Sequence, residues 1–260
     1  MYIVNLNLRK IPVPSPPILK QEVSYCLPHW LWIPEQYEIP QVNLYSFKGY
    51  YTGVLNKKEL LESVKKEVLS CKKCGLWKNK RNYVFGEGDP NSRIMFIGEA
   101  PGYNEDVQGR PFVGAAGKLL TFLIQNVLGV PREKVYITNV LKCRPPNNRD
   151  PMVDEVKACT PYLDRQIRII KPRLIVTLGR HSAKYVLGKL GLKVSGITRV
   201  RGKVFEGEIL GLKVKVLPTY HPAAALYNPG LKATLTSDFE KIKDVLKSKE
   251  REKGGLLSFI

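Results

Sequence analysis

The stretch Ile94-Met-Phe-Ile-Gly-Glu-Ala-Pro-Gly-Tyr-Asn-Glu-Asp-Val-Gln-Gly-Arg-Pro-Phe-Val-Gly114 decides how the chain reads. It opens with an unbroken apolar run, Ile94 to Ile97, the pattern of a strand buried on both faces of a parallel sheet. The run stops at Gly98, and Pro101 and Gly102 mark a turn. A polar loop follows with the carboxylates Glu99, Glu105 and Asp106 and the aromatics Tyr103 and Phe112, until a helical pattern begins near Gly117. Open α/β sheets bind ligands beyond the carboxyl ends of their parallel strands, so this loop is the first place to look for a site.

Working outward, apolar spacing predicts a helix over 57–69, with Leu60, Leu61, Val64 and Val68 on one face. Further helices are predicted over 117–128, 152–170, about 182–190 and about 237–250. Strands are predicted over 135–141 and 174–178, and a glycine-punctuated hairpin within 197–216 leads into a last strand over 214–218. Strands alternating with helices imply an α/β fold with a mostly parallel central sheet flanked by helices on both faces. That domain is expected over 56–248. Residues 1–55 read as a proline- and aromatic-rich N-terminal extension with no role assigned, and residues 249–260 as a separate tail.

The 260 residues are 43% hydrophobic, enough for a substantial core, and no apolar run reaches the length of a membrane span. The N-terminus lacks the basic-then-apolar order of a signal peptide, so a cytoplasmic protein is expected. Lysine and arginine number 42 against 23 acids, a net charge of +19. An excess of that size points to a polyanionic partner, nucleic acid above all.

In such a compartment the five cysteines favour metal or catalytic roles over disulfides. Cys71 and Cys74 form a C-x2-C pair. Cys143 follows a predicted strand and Cys159 lies on the next helix, so the four thiols can converge. Four thiolates suit tetrahedral zinc or a [4Fe–4S] cluster, and spacing does not choose between them. Cys26 stands apart in the extension. Of three histidines, His29 is in the extension, and His181 begins a helix, where capping or packing is an adequate role. His221 ends a strand and should reach the same sheet edge as Gly98–Gly102, which makes it a site candidate.

Gly98-Glu-Ala-Pro-Gly102, Gly109-Arg-Pro-Phe112, Thr138-Asn-Val-Leu-Lys-Cys-Arg-Pro-Pro146 and His221-Pro-Ala-Ala224 together resemble the iron–sulfur uracil-DNA glycosylases, family 4 of their superfamily. The four cysteines match that family's cluster ligands in order and approximate spacing, and the resemblance runs over about 57–247. It implies the uracil-DNA glycosylase fold, a [4Fe–4S] cluster on Cys71, Cys74, Cys143 and Cys159, and uracil-containing DNA as substrate. Such an enzyme rotates the nucleotide out of the duplex and hydrolyses its N-glycosidic bond. By resemblance, Phe112 stacks on uracil, Asn139 reads the base edge, and His221 donates to the oxygen that gathers charge. Glu99 and the backbone of Gly98, Ala100 and Gly102 hold the water and sugar, and Glu105 crowds out a thymine methyl. Ala100 stands where the classical branch of the superfamily has a water-activating aspartate, so leaving-group stabilisation should carry more of the work. After His221, Leu226 is the residue expected to fill the vacated stack.

The absence of an obviously placed Schiff-base lysine predicts a monofunctional enzyme with water as nucleophile; a monomer is expected separately. In the tail, Leu256, Phe259 and Ile260 repeat the spacing of sliding-clamp-binding peptides, with Lys253 where a glutamine is usual. The competing readings are a non-catalytic zinc module that binds nucleic acid, and a glycosylase for another damaged base.

Overall fold

The computed structural model describes residues 56–251. It starts at Asn56, which caps helix α1 (Lys57–Leu69): its side chain accepts from Glu59 N, and Glu59 reaches back to Asn56 N. This reciprocal box satisfies two of the donors a helix start leaves open. The N-terminal extension and the tail residues Leu256, Phe259 and Ile260 lie outside the described residues.

After a short edge strand, β1 (Glu87–Gly88), the apolar run forms β2 (Ile94–Gly98). Two helices follow, α2 (Tyr103–Gln108) and α3 (Ala115–Phe122), and a π-helical turn over Leu123–Leu128 extends the second. The chain then runs through β3 (Tyr136–Asn139), α4 (Val153–Ile170), β4 (Leu174–Leu178) and α5 (Arg180–Gly188). A short α6 (Ile197–Val200) precedes the hairpin β5 (Phe205–Ile209) and β6 (Leu212–Thr219). Helices α7 (Pro222–Tyr227) and α8 (Leu231–Arg251) close the described chain.

The sheet order is β1-β3-β2-β4-β6-β5. The four inner strands are parallel, and the two edge strands pair antiparallel to their neighbours. Strand period two then sorts the core. Met95 and Ile97 face one layer with Leu61 and Val68 of α1 and Leu163 and Ile167 of α4. Ile94 and Phe96 face the other with Leu120, Leu123 and Phe239, and the Phe96 and Phe239 rings stack at 5.8 Å.

Three expectations are corrected. The loop after Gly98 is not continuous loop but holds α2, ended by Gly109 in the left-handed region with φ 68°, a conformation glycine adopts without strain. The following helix begins at Ala115, and its second half is π-helical. The last helix starts at Leu231 rather than about 237, because α7 and a short turn take up only the residues to Gly230. No helix among the described residues is long and apolar enough to cross a membrane.

Because the inner strands are parallel, the carboxyl ends of β2, β3, β4 and β6 all open on one edge. A buried ion pair anchors one of these ends. Asp238 of α8 is fully buried, pairs with Arg201, and accepts from Thr219 Oγ1 at 2.6 Å, so the residues after Thr219 leave the sheet from a fixed point.

Candidate active site and four-cysteine centre

Gly98 ends β2 beside Asn139, which ends β3. A Cβ on Gly98 would fall 2.3 Å from Asn139 Oδ1 and 2.6 Å from Phe112 Cζ, so only glycine lets these two side chains meet here. Asn139 is buried, and its Oδ1 has no hydrogen-bond partner among the described residues. A buried carbonyl oxygen without a donor costs about 1–3 kcal/mol, and such an atom calls for a ligand N–H. Phe112 is buried too, and its φ of 52° is rare for a bulky side chain, the kind of strain that collects at functional sites.

His221 joins them from the end of β6. It is the N-cap of α7, and its Nδ1 accepts from Ala223 N at 3.1 Å. With Nδ1 an acceptor, the proton of the neutral ring sits on Nε2. Burial lowers the His221 pKa to about 4, against the opposing pull of the Glu105 carboxylate, so the imidazole is neutral at physiological pH. Its ring stacks on Phe112 with centroids 5.5 Å apart. Gly179, at φ 95°, makes room: a Cβ there would lie 3.1 Å from His221 Cβ.

The two glutamates divide. Glu105 Oε1 accepts from Val113 N and Gly114 N, both at 2.8 Å, and so ties α2 to the turn that carries Phe112. Glu99 approaches α5. Its Oε2 lies 3.9 Å from His181 Nε2, which is in turn 3.4 Å from Asp150 Oδ1. Burial raises the Glu99 pKa, helped by Asp150 and opposed by His181 and Arg180. His181 therefore belongs to the site's surroundings, although capping or packing sufficed to explain it in sequence. The clue was its place two residues after Gly179, at the end of a parallel strand. Leu226 and Tyr227 project from α7 at 47% and 90% exposure, next to His221 in sequence but outside the pocket.

The four cysteines do converge. Cys71, Cys74, Cys143 and Cys159 line one small cavity with Trp77 and Tyr162, and none is in a disulfide. Burial pushes the Cys159 thiol up to about 11 and the Cys143 thiol higher still, with the neighbouring sulfurs adding to the rise at Cys143. Lys142 N donates to Cys159 Sγ at 3.3 Å.

Lys142 itself tests whether a charged metal group fits. Its side chain is 1% exposed, and Nζ donates to Gln166 Oε1 at 2.7 Å, Thr138 Oγ1 at 2.6 Å and Asn139 O at 2.8 Å. The Gln166 amide is oriented by its Nε2, which donates to Phe85 O and Tyr136 OH. Three acceptors around Nζ suit the three N–H groups of an ammonium. No carboxylate pairs with it among the described residues. Burial lowers its pKa to about 7, and the group that opposes this fall is Cys159, once its sulfur is ionised. A buried cation needs a counter-charge, and a metal group bound by four thiolates would supply one. The residues fit such a group.

A model of the uracil DNA glycosylase superfamily matches residues 85–247. A type-4 uracil-DNA glycosylase of Sulfurisphaera tokodaii is 61% identical over 185 residues, 71% of this chain and 84% of that protein. Namesakes in Saccharolobus solfataricus and Archaeoglobus fulgidus are 57% and 52% identical, over 73% and 74% of this chain and 88% and 96% of their own lengths.

Proposed function

The chain belongs to the uracil DNA glycosylase superfamily, and from that premise we propose that it excises uracil from DNA as a monofunctional, water-using glycosylase of base excision repair. The observation that carries the site assignment is the buried, unpartnered Oδ1 of Asn139. Uracil N3–H is the donor that atom lacks, and the Asn139 amide N–H can meet uracil O4. Cytosine offers an acceptor at N3 and an amino group at C4, so it mismatches both. Phe112 supports the flipped base, and Glu105 holds the turn around it and crowds a C5 methyl.

Bond cleavage leaves electrons on uracil, spread over N1 and O2. Neutral His221 donates its Nε2–H to O2 as that charge grows. A donor aimed at developing charge in a water-poor site is worth about 10²–10³ in rate. Water adds to C1′ as the C1′–N1 bond breaks, and its proton passes to Glu99 or to solvent. Glu99, raised by burial and backed by His181, is the carboxylate nearest to replacing the base missing at Ala100. The backbone of Gly98, Ala100 and Gly102 lines the approach to the sugar, and Leu226 fills the gap left in the stack.

Cys71, Cys74, Cys143 and Cys159 would hold a [4Fe–4S] cluster, supported by the four-sulfur donor set and the buried Lys142 ammonium beside it. When bound, the cluster supplies a cross-link between the segment after α1 and the sheet, and negative charge next to Lys142. A non-catalytic zinc module would leave the Asn139 orphan without a purpose.

The experiment incubates the purified chain with a uracil-containing duplex and scores alkali-labile sites, with a thymine duplex alongside. Release from the uracil duplex alone is expected; equal cleavage of both would overturn the specificity. A visible spectrum and an iron count on the same sample test the cluster, and a colourless zinc protein would refute it. Leu256, Phe259 and Ile260 are proposed to dock on a sliding clamp, and the protein to be monomeric. Size-exclusion runs with and without the clamp, on the full chain and on a chain cut after residue 251, check both.

A further inference from the structure

Tyr103 opens α2 directly after the Gly98–Gly102 segment, and its ring is 52% exposed beside the pocket's entrance loop. Two guanidinium groups from distant parts of the sequence hold that ring. Arg81 Cζ lies 5.3 Å from its centroid and Arg144 Cζ 5.2 Å. Arg81 comes from the basic segment after Cys74, and Arg144 follows Cys143 beyond the carboxyl end of β3. The three meet at the sheet edge that carries Gly98 and Asn139.

Their charges are unanswered. Arg110, Arg132, Arg149, Arg165, Arg180 and Arg201 all pair with a carboxylate. Neither Arg81 nor Arg144 does so among the described residues. Arg144 Nε donates only to the neutral Asn148 Oδ1, and the nearby Asp106 carboxylate is taken by the backbone N–H groups of Arg81 and Asn82. Both guanidinium groups lie 5.2–5.3 Å from the centroid of one ring, which gathers two cations that no carboxylate pairs with among the described residues into one place. An anion is the partner such a pair of cations lacks.

We propose that Arg81 and Arg144, set by the Tyr103 ring, form a clamp for backbone phosphates of the DNA strand that carries the uridine. The inference rests on the uracil-DNA reading above and adds residues that reading does not use. We assign phosphate rather than bases as the partner, because a uracil-excising enzyme must hold the strand whatever its sequence, and guanidinium forks suit oxyanions. The net charge of +19 already draws the protein to a polyanion, and this clamp gives that attraction a place and a register.

The test measures binding of the iron-loaded full chain to a duplex with a tetrahydrofuran abasic-site analogue, by fluorescence anisotropy from 50 to 200 mM salt. Each phosphate contact adds about 0.9 to the slope of log affinity against log salt on duplex DNA. The double variant Arg81→Gln/Arg144→Gln should flatten that slope by about 1.8 and weaken binding at low salt roughly tenfold per arginine. Its single-turnover uracil release at saturating DNA should stay within about twofold of the parent, so the loss appears in KM and not in kcat. Tyr103→Leu should weaken binding several-fold with the slope retained, whereas Tyr103→Phe should match the parent. An unchanged slope in the double variant, or parental binding by Tyr103→Leu, overturns the clamp. The salt slope is read without catalysis, so a parent that releases no uracil would fail the functional reading and leave the clamp's result separate.

Discussion

Gly98→Ala puts the pocket geometry under the sharpest strain. Gly98 lies in regular strand backbone, and alanine can adopt that conformation freely, so any effect comes from the added methyl. That methyl would sit 2.3 Å from Asn139 Oδ1 and 2.6–2.7 Å from two atoms of the Phe112 ring. An ordinary contact needs about 3.4 Å or more, so both side chains must withdraw by about 1 Å. Asn139 does not withdraw easily: Gly98 O accepts from Val140 N at 3.0 Å, and Lys142 holds the Asn139 carbonyl. Overpacking of this kind costs about 1–3 kcal/mol of stability. A displacement of about 1 Å in one positioned group can cost 10²-fold in rate, and here two groups move. Single-turnover excision from a uracil-containing oligonucleotide should therefore fall by about 10²–10⁴. Melting should drop by about 2–12 °C, at about 2–4 °C per kcal/mol for a domain of this size. A variant that folds and excises uracil within threefold of the parent would show that the base does not bind where Gly98, Asn139 and Phe112 meet.

Asn139→Ala should lower excision by about 10²–10³ yet leave the melting temperature nearly unchanged, because it also removes a buried acceptor with no partner; a large loss of stability would show that Oδ1 has a structural role. His221 should itself add no limb to the excision rate between pH 8 and about 5, since its folded pKa lies near 4 rather than near the usual 6.5; a limb near 6.5 in single-turnover rates that persists in Glu99→Gln would implicate a charged ring. The same shift sets a stability trend. Between about 6.5 and 4 the unfolded chain binds the extra proton, so the fold loses stability as pH falls through that window, by up to about 3 kcal/mol, and His221→Ala should flatten the trend in urea titrations. Lys142→Met leaves Thr138, Gln166 and the Asn139 carbonyl without their shared donor, so iron content should fall and melting drop by about 10 °C. Full iron occupancy with parental melting would refute the counter-ion argument.

Much of this is legible in the sequence. The run Ile94–Ile97 reads as a doubly buried strand because a parallel sheet covers both of its faces, and the fold makes it β2, flanked on both sides by parallel strands. Cys71 and Cys74 announce a ligand pair, and Cys143 and Cys159 meet them in one cavity. His221 stood out as a polar residue at a strand end. What the sequence does not signal is short or nonlocal. Helix α2 spans only Tyr103–Gln108 and α7 only Pro222–Tyr227, too few residues for a periodic signal. β1 has two residues and exists only through its pairing with β3. Lys142 looks like any lysine of a basic chain until its burial is known, and His181 looks like a helix cap until Glu99 and Asp150 come within reach.

Local chemistry therefore settled which of the longer elements form, because strand and helix periods and the turn residues act over a few positions each. It also supplied the four sulfurs, the pocket's residue types and the demand for a polyanionic partner. Tertiary structure decided which of these act together. It brought Asn139 Oδ1 into burial without a donor, placed the Lys142 ammonium against thiols instead of a carboxylate, turned His221 into a neutral Nε2–H donor, and closed Arg81 and Arg144 on Tyr103. Each of those outcomes depends on burial and on distances between segments far apart in the chain. Electrostatic cost and hydrogen-bond satisfaction are set by those distances, and sequence spacing does not encode them.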